Sequence, residues 1–321
     1  MADSTPYLII NPNSNNEKTK KEIDQILSTS KNVFGDFSYE VTKQQGDGIP
    51  LAKKAIKEGY KKIVSIGGDG TLNEILNVAV NTDAKIGMIA KGGSCDAHKT
   101  HGIPRKLDRA LEIIAQGYSE KFPVGWTKGD TERYFMEMAD GAFTGAVAEA
   151  SHYRMKWLQG DLRYILLAFQ MAYQYQPIPS KITVDDQVIE GAISVFAVAL
   201  SDVLGGFEII PGNHPKKGDF AVIYAEDYKR MQLITQLMRA LNGKHIKAKK
   251  INIVRGKKVT IESESPMKWE AEGEIFSTEA KKLEFKYIPN AVNLIIPEQW
   301  KYELDKKEKS KLAKSILKNS V

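Results

Sequence analysis

The sequence predicts an α/β protein with a doubly wound, Rossmann-like first domain and a largely antiparallel β-sandwich second domain. A chain of 321 residues suggests about two domains. Up to residue 121, short apolar runs alternate with amphipathic helical patterns, an order typical of a parallel sheet with helices on both faces. Beyond it, β-type runs dominate. We therefore expect domains at 1–121 and 122–287, and a C-terminal segment, 288–321, that packs back on the first domain.

The first domain is predicted to contain four strands that alternate with four helices. Each strand is a short apolar run, and each helix has apolar residues at helical spacing. In chain order they are strand 7–10, helix 17–27, strand 37–41, helix 49–56, strand 62–66, helix 72–80, strand 85–90 and helix 106–114.

The second domain is predicted to combine two helices, 162–175 and 228–241, with several short strands. Two dipeptides predict hairpin turns, Asp185-Asp186 and Arg255-Gly256. Further strands are expected at 276–277 and 283–287. The lysine-rich tail from residue 298 has apolar residues at roughly helical spacing, which favours a surface helix docked on the body over a membrane-facing one.

Composition limits the possible functions without choosing among them. The chain is 42% hydrophobic and 27% charged, and its net charge of +6 fits a nucleic-acid binder, a protein that visits anionic membranes, or an enzyme for anionic substrates. A single cysteine, Cys95, excludes a disulfide framework and favours a reducing compartment. We see no signal peptide and no apolar run near the roughly 20 residues of a membrane helix. We therefore expect a cytoplasmic protein whose membrane association is peripheral.

The stretch SIGGDGTLNE, residues 65–74, joins a predicted strand to a predicted helix. Such a junction offers backbone N–H groups and a helix dipole to an anion. Its three glycines allow a sharp turn and a close approach of phosphate oxygens: Gly67, Gly68 and Gly70. Thr71 and Glu74 have the spacing of a capping box, which predicts that the helix starts directly after the loop.

Asp69 is the unusual residue of this loop, because a carboxylate repels phosphates unless a cation intervenes. We expect it to hold a Mg²⁺–nucleotide or to align an attacking hydroxyl. The alternative is an ordinary turn, in which the glycines adopt positive φ angles and Asp69 caps the helix that follows.

The motifs resemble those of the diacylglycerol kinase catalytic domain family, which includes diacylglycerol, sphingosine and ceramide kinases and bacterial lipid kinases. Residues 67–74 are similar to its GGDGT-x-NE motif without interruption. Five further segments carry the resemblance: Asn11-Pro12-Asn13-Ser14-Asn15, Thr42 with Gly46-Asp47-Gly48, Gly102-Ile103-Pro104, Gly205-Gly206-Phe207 with Pro211, and Glu272-Gly273-Glu274.

The resemblance implies an ATP-dependent lipid kinase that uses Mg²⁺ with the nucleotide. A lipid alcohol, diacylglycerol-like by default, would attack the γ-phosphate in a cleft between the domains. Asp69 would orient Mg–ATP and Glu274 would be the general base, although two glutamates around a glycine are by themselves more typical of a solvated turn. The implied nucleotide-binding residues are Asn11, Asn13, Ser14, Asn15, Thr42, Gly67, Gly68, Asp69, Gly70, Thr71, Asn73, Gly92, Gly93 and Ser94.

The chain departs from the family pattern at three places, of which one is Ser201-Asp202, where an asparagine is common. Gly93 and Cys95 stand where the second phosphate loop usually has threonine and asparagine. Lys217 stands at the position of a metal-binding aspartate, so we expect no metal ion held by the second domain.

Cys95 raises two further questions. Together with His98 and His101 it forms C-x₂-H-x₂-H, which resembles a zinc pattern, but a plain loop is favoured because the spacing is tight for a structural site. A thiol at the start of a phosphate-binding helix is also expected to have a lowered pKa.

Basic clusters predict transient contact with a membrane surface: Lys244, Lys247, Lys249 and Lys250; Arg255, Lys257 and Lys258; Arg154, Lys156 and Trp157. No nucleic-acid recognition motif is present, and a homodimer is possible. Two alternative functions remain. NAD kinase shares GGDGT, but its N-E pair lies further downstream. A catalytically impaired nucleotide- or lipid-binding homologue is disfavoured because Asp69 and Glu274 are retained.

Overall fold

The computed structural model describes residues 5–155, 161–240, 245–248 and 250–302. Within them the chain forms two units. One comprises the chain up to Pro123 and again from Pro289, and the other is Val124–Ile288. The lysine-rich tail is described only as far as residue 302. Four residues of the predicted basic clusters also lie outside the described residues: Lys156, Trp157, Lys244 and Lys249.

The first unit contains a parallel sheet flanked by helices. Its strands are β1 (Pro6–Ile10), β2 (Ser38–Val41), β3 (Lys62–Gly67) and β4 (Lys85–Ala90). Its helices are α1 (Lys18–Lys21), α2 (Ile23–Phe34), α3 (Gly48–Lys57), α4 (Asp69–Ala79), α5 (Asp96–Thr100) and α6 (Leu107–Gln116). The strands pair in the order β2-β1-β3-β4.

The central strands of this sheet are buried along almost their whole length. All five residues of β1 are buried, as are all residues of β3 and β4 except the first of each. Continuous apolar runs of this kind are typical of parallel strands covered on both faces. The Rossmann-like fold predicted for this part of the chain is therefore confirmed, and the predicted positions of the four strands are close to those observed.

The second unit is built mainly of antiparallel strands. They are β5 (Ser119–Lys128, which begins in the first unit), β6 (Glu132–Phe135), β7 (Met138–Ala142), β8 (Ile178–Val184), β9 (Gln187–Ala199), β10 (Val203–Leu204), β11 (Phe207–Glu208), β12 (Phe220–Glu226), β13 (Ile251–Gly256), β14 (Lys258–Ser263), β15 (Trp269–Ala271), β16 (Glu274–Ser277) and β17 (Lys282–Ile295, which ends in the first unit beside β4). Its helices are α7 (Phe143–Tyr153), α8 (Asp161–Gln174) and α9 (Arg230–Ala240). Short 3₁₀ turns occupy Pro215–Lys217 and His245–Lys247.

The core of the second unit is aromatic. Trp269 and Phe196 meet edge to face with ring centroids 5.4 Å apart, and Phe285 lies 5.6 Å from Trp269. All three side chains are fully buried. This core explains why neighbouring residues are small: a Cβ on Gly141 would lie only 2.4 Å from the Trp269 ring. The predicted β-sandwich class of this half is confirmed.

One predicted hairpin is confirmed and one is wrong. Strands β8 and β9 pair directly around Asp185-Asp186. By contrast, β13 pairs with β12, and β14 pairs with β8 and β17. Arg255-Gly256 ends a strand instead of forming a turn. The chain changes partner at Lys257, whose backbone N–H donates to the Asp185 carboxylate at 3.1 Å.

The last described residues, which belong to the first unit, pack against residues 100–102 of the same unit. The Trp300 ring covers Gly102, whose φ is +69° and whose added Cβ would lie 2.2 Å from the indole. The indole N–H donates to the Thr100 carbonyl at 3.0 Å, and the Tyr302 hydroxyl lies 2.9 Å from His101 Nδ1. Among the helices that the structure describes, none combines the length and apolar character needed to cross a bilayer.

Candidate nucleotide and catalytic site

The predicted nucleotide loops lie at the carboxyl ends of the parallel strands. The strand order β2-β1-β3-β4 reverses direction between β1 and β3, and ligands of open α/β sheets bind outside the strand ends at such a switch point. Asn11 follows β1, and its side-chain amide donates to the Thr71 hydroxyl at 2.9 Å. This hydrogen bond joins the first loop to the start of α4.

The first loop is folded by its own polar groups. The Asn11 carboxamide oxygen accepts the Asn13 backbone N–H at 3.0 Å, and the Ser14 hydroxyl donates to the Asn11 carbonyl at 2.8 Å. Asn15 has a φ of +54°. The related motif has glycine at this position, and asparagine is one of the side chains that tolerate left-handed backbone. The first loop therefore keeps its turn without that glycine.

Two other predicted nucleotide-binding residues are buried beside the loops. Thr42 follows β2, and its backbone N–H donates to the Ile10 carbonyl at 2.9 Å. Asn73 lies within α4, where its carbonyl accepts from the Asn77 amide at 2.9 Å. Both are at most 5% exposed. Both residues therefore belong to the buried packing of the unit next to the loops.

The capping box predicted for Thr71 and Glu74 is wrong. Helix α4 already begins at Asp69, so Thr71 lies inside the first turn. The Glu74 carboxylate instead accepts the backbone N–H groups of Gly46 and Gly48, each at 2.8 Å. Glu74 therefore fixes the loop before α3 against α4.

None of the glycines in the two predicted phosphate loops has a positive φ angle, and one pair of them permits a close approach of the two backbones. Gly68 has a φ of −95°, and Gly67 and Gly70 also lie outside the positive-φ region. A Cβ added to Gly92 would lie 2.6 Å from the Gly68 Cα, so the two loops touch backbone to backbone. Gly93 differs, because nothing lies within 4 Å of its added Cβ.

Asp69 lies where the two loops meet. Its carboxylate accepts the backbone N–H groups of Asp96 at 3.1 Å and Ala97 at 3.3 Å, and the Ser94 hydroxyl at 3.3 Å. Burial, and secondly the nearby Asp96 carboxylate, raises the pKa of Asp69. Asp69 thus caps the neighbouring helix α5, while its own helix α4 begins with it. The alternative interpretation, in which Asp69 caps α4, is not what is observed, because the helix whose N–H groups it accepts is α5.

Arg105 holds the second loop, and the sequence motifs did not identify it. Its guanidinium donates to three consecutive backbone carbonyls, those of Gly92 at 3.3 Å, Gly93 at 2.6 Å and Ser94 at 2.6 Å. A planar, multiply donating cation suits such a fork of acceptors better than a lysine would. Its position directly after Gly102-Ile103-Pro104 is the only sequence signal that could have found it.

Cys95 does not have the reactive environment that was predicted. It is fully buried with a φ of +48°, and its sulfur accepts the Gly92 backbone N–H at 3.2 Å. Burial, and secondly the Asp69 carboxylate, raises the pKa of this thiol, so the predicted lowering is wrong. A thiol in apolar surroundings resists losing its proton even beside a helix start.

The histidines near Cys95 are buried separately. Burial lowers the pKa of His98 to about 3, and His101 pairs with Tyr302. Within the described residues, no group of three or more His, Cys, Asp or Glu side chains is arranged to hold a metal ion.

The second predicted catalytic residue, Glu274, follows a tight turn between β15 and β16. The turn residues Glu272 and Gly273 have φ angles of +58° and +81°. The Glu272 carboxylate accepts the backbone N–H groups of Met136 at 2.8 Å and Glu137 at 2.6 Å. Glu272 is therefore an anchor of the turn and not a solvated surface carboxylate. Glu274, the first residue of β16, is partly exposed.

A buried pair of carboxyl groups supports the same turn. Asp140 and Glu270 lie opposite each other on β7 and β15, at most 6% exposed. Burial raises the pKa of both groups, and the Asp140 carboxylate further raises that of Glu270. Two buried carboxyls in contact are expected to share a proton. Glu270 also accepts the backbone N–H of Gly273.

Lys217 stands where the related motif has a metal-binding aspartate, and its charged neighbours are Arg255, Asp219 and Asp202. Arg255 donates to Asp219 at 2.9 Å and to the Asn213 carboxamide at 3.1 Å. Burial, and secondly Arg255, lowers the pKa of Lys217. The absence of a metal ion here stays a prediction.

Each half of the chain matches the model of a known protein family. Residues 5–127 match the family model of the diacylglycerol kinase catalytic domain, and residues 140–296 match that of the YegS C-terminal NAD kinase beta sandwich-like domain. Diacylglycerol kinase of Staphylococcus carnosus is 29% identical over 270 residues, 83% of this chain and 87% of that one. Diacylglycerol kinase of Staphylococcus haemolyticus is 28% identical, covering 83% and 81%.

Solved structures share the fold. The crystal structure of a diacylglycerol kinase from Bacillus anthracis aligns with a TM-score of 0.69 at 19% identity, covering 93% of this chain and 98% of that one. Yeast NADH kinase complexed with NADH aligns with a TM-score of 0.51 at 11% identity, covering 92% and 84%. At these identities the likeness concerns the fold alone. Residues 5–127 therefore form a diacylglycerol kinase catalytic domain, residues 140–296 form a YegS-type C-terminal domain, and the chain is a kinase.

Proposed function

We propose that the chain transfers the γ-phosphate of ATP to the hydroxyl of a lipid alcohol, with a diacylglycerol-like molecule as the default substrate. The observation that carries the phosphoryl-transfer part of the proposal is the position of Asp69, which belongs to the first glycine loop and accepts hydrogen bonds from the second at the carboxyl ends of the parallel strands. Phosphoryl transfer depends on positioning and charge neutralisation, and groups fixed at a strand-end switch point provide both.

Three features of the loops support the proposed binding of a magnesium-bound triphosphate. The glycines let backbone N–H groups approach phosphate oxygens, and the space beside Gly93 is open. The Arg105 guanidinium adds positive charge on the second loop. The raised pKa of Asp69 means that its negative charge is costly there, and a divalent cation would offset that cost. When bound, Mg–ATP supplies the phosphoryl group that is transferred.

Glu274 is the proposed general base, which takes the proton of the lipid hydroxyl as it attacks. It lies beyond a turn whose backbone is held by Glu272 and Glu270, so its main-chain position is fixed. General-base catalysis of this kind contributes typically about 10²–10⁴-fold to the rate. Asp69 orients the nucleotide in the other unit.

The test is incorporation of label from γ-labelled ATP into a panel of lipid alcohols and NAD. Asp69→Asn and Glu274→Gln are each compared with an exposed control, Asp36→Asn and Glu279→Gln, whose side chains are 94% and 78% exposed. We expect lipid phosphorylation by wild type and both controls, and a loss of at least about 10²-fold in each site variant. Wild type that phosphorylates no lipid would refute the proposal.

The fold likeness to yeast NADH kinase makes phosphorylation of a dinucleotide the second candidate. Label in NAD and none in lipid would establish it. Nucleotide binding without turnover of any acceptor would instead indicate the catalytically impaired homologue. The engagement of Asp69 by three donors is compatible with all three outcomes, so the acceptor panel decides among them.

A lipid kinase must reach its substrate in a bilayer, so we propose transient contact with the membrane surface through basic residues. Lys257, which links β13 to β14, and Lys258, the first residue of β14, are both exposed. Sedimentation with anionic and neutral vesicles tests the contact, which requires stronger binding to the anionic ones and a loss of that binding at high salt. Sedimentation equilibrium tests the predicted homodimer.

A further inference from the structure

The last described residues of the chain cover the far end of α5, the helix that follows the second loop. Trp300 and Tyr302 are 8% and 9% exposed, and we call these two residues the C-terminal clasp. The Trp300 indole N–H donates to the Thr100 carbonyl, and the Tyr302 hydroxyl forms a hydrogen bond with His101 Nδ1. Thr100 is the last residue of α5 and His101 follows it, so both hydrogen bonds reach the end of the helix.

The hydrogen bond between Tyr302 and His101 lies within a buried aromatic cluster. The His101 ring meets Phe122 edge to face with ring centroids 4.8 Å apart, and the Tyr302 ring lies 5.5 Å from that of Phe122. His101 and Phe122 are fully buried. Because packed rings have little freedom to move, the Tyr302 hydroxyl has a fixed position at the end of α5.

The first end of α5 is held by Asp69. Its carboxylate accepts the backbone N–H groups of Asp96 and Ala97, the first two residues of the helix. The five residues of α5 span about 7.5 Å, so Asp69 and the clasp hold the same short helix from opposite ends. A helix of this length is not stable by itself in water, and its order depends on such tertiary contacts.

His98, in the middle of α5, increases this dependence. Its side chain is 3% exposed, and neither ring nitrogen has a hydrogen-bond partner among the residues that the structure describes. Burial lowers the pKa of His98 to about 3, so the ring is neutral near pH 7. Burial of a polar ring without a hydrogen-bond partner opposes folding. His98 therefore weakens α5 and makes the contacts at its two ends more important.

The segment that contains α5 closes on itself. It begins with the second loop at Gly92 and ends at Arg105, whose guanidinium donates back to three carbonyls of that loop. Within the segment, the Ile103 backbone N–H donates to the His98 carbonyl at 2.8 Å. A loss of order at the far end of α5 is therefore expected to reach both Asp69 and the second loop.

We propose that Trp300 and Tyr302 are positioning residues of the nucleotide site, which act through α5 on Asp69 and the second loop. The clasp keeps the loop in its observed arrangement before a nucleotide arrives. The identification of the ligand as magnesium-bound ATP rests on the proposed function. The ordering of α5 does not rest on it, because that order is a property of the free protein.

The first experiment measures amide hydrogen exchange, resolved by residue, in the full chain without nucleotide. Tyr302→Phe removes one hydroxyl and keeps the ring that packs on Phe122. Exchange of the Asp96 and Ala97 amides should become about fivefold faster, the effect of losing one net hydrogen bond on the opening of the helix. Wild-type exchange rates at these two amides would overturn the proposal, even if amides near His101 exchange faster.

Tyr118→Phe is the matched control for this measurement. The Tyr118 hydroxyl donates to the Glu120 carboxylate at 2.7 Å in the same unit, so the change also removes one tyrosine hydrogen bond, but none at α5. It should leave the exchange of the Asp96 and Ala97 amides unchanged. An equal acceleration by this control would indicate a general loosening of the unit, which would overturn the proposal.

The second experiment separates positioning from a loss of folded protein. It uses the double variant Trp300→Phe and Tyr302→Phe, in which both hydrogen bonds to the end of α5 are removed. The Kd of a non-hydrolysable ATP analogue and the KM for ATP should rise about 5–30-fold, the effect of losing one or two net hydrogen bonds if binding requires the ordered loop. The kcat at saturating ATP should stay near the wild-type value, because bound nucleotide restores the order of the loop. An unchanged Kd, with or without a fall in kcat, would show that the clasp only supports the fold, and it would overturn the proposal.

Hydrogen exchange and calorimetry of analogue binding need no turnover, so their outcome is separate from that of the proposed function. A lipid kinase whose exchange and analogue affinity do not respond to the clasp variants refutes only this inference. A chain whose Asp96 and Ala97 amides respond to these variants, but which phosphorylates no lipid, refutes only the proposed function.

Discussion

Arg105 offers the sharpest test of how the altered second loop is held. Substitution by alanine removes three N–H···O contacts to the carbonyls of consecutive loop residues. Hydrogen bonds from charged donors contribute about 1.5–3 kcal/mol each. Because this guanidinium is exposed, we count only the two contacts at 2.6 Å, at about 1 kcal/mol each. The loop therefore loses about 2 kcal/mol of ordering free energy.

If ATP binds only to the ordered loop, a cost of about 2 kcal/mol weakens binding roughly 30-fold. We expect Arg105→Ala to raise the KM for ATP, and the Kd of a non-hydrolysable analogue measured by calorimetry, by about that factor. Arg105→Lys should recover little of the loss, since an ammonium keeps the charge but cannot span the fork of carbonyls. The unfolding midpoint should change only slightly.

Lys106→Ala is the matched control, because it removes a positive charge one residue away whose partner is the exposed Asp108. It should leave the KM for ATP near the wild-type value. Full activity of Arg105→Lys would show that charge and not geometry holds the loop. An unchanged KM in Arg105→Ala would refute the reasoning altogether.

Three further predictions concern packing and protonation. Gly92→Ala should lower the free energy of unfolding by about 1–3 kcal/mol, because the added Cβ would press on the backbone of Gly68. Gly93→Ala should change that free energy by less than about 0.5 kcal/mol, because the space beside Gly93 is open. Equal urea midpoints of the two variants would contradict this prediction. Cys95 should react with iodoacetamide at neutral pH far more slowly than in urea-unfolded chain, since burial raises its pKa; equal rates would count against that environment. Glu270 has a folded-state pKa above its unfolded value, so its stabilising contribution is complete below the unfolded pKa and is lost as pH rises above roughly 4.5 toward the folded pKa. Glu270→Gln should therefore flatten the fall of unfolding free energy with rising pH, and an unchanged slope would show that another group causes it.

The parallel half of the fold could be predicted because its strands are continuous apolar runs. Strands β1, β3 and β4 are buried on both faces, which leaves a signal that local sequence carries. In the second half of the chain, the sequence predicted strand pairing less well. Arg255-Gly256 has the composition of a turn, but the partners of the adjoining strands are set by β8 and β12, far away in sequence.

The same limit applies to the site. The motifs brought Asp69 and Glu274 to attention, but they could not show that Asp69 caps α5 or that Glu74 holds Gly46 and Gly48. These contacts join segments that only the folded sheet brings together. The buried pair of Asp140 and Glu270 is a further case, since each residue alone looks like an ordinary strand carboxylate.

The open space beside Gly93 distinguishes two adjacent positions of the second loop. Gly92 is locked by backbone contact with Gly68, since an added Cβ would lie 2.6 Å from the Gly68 Cα. Gly93 is not locked, because a Cβ added there meets nothing within 4 Å. The shape of the loop therefore depends on the lack of a side chain at Gly92, whereas at Gly93 it does not, and the Arg105 guanidinium holds the carbonyls of both residues.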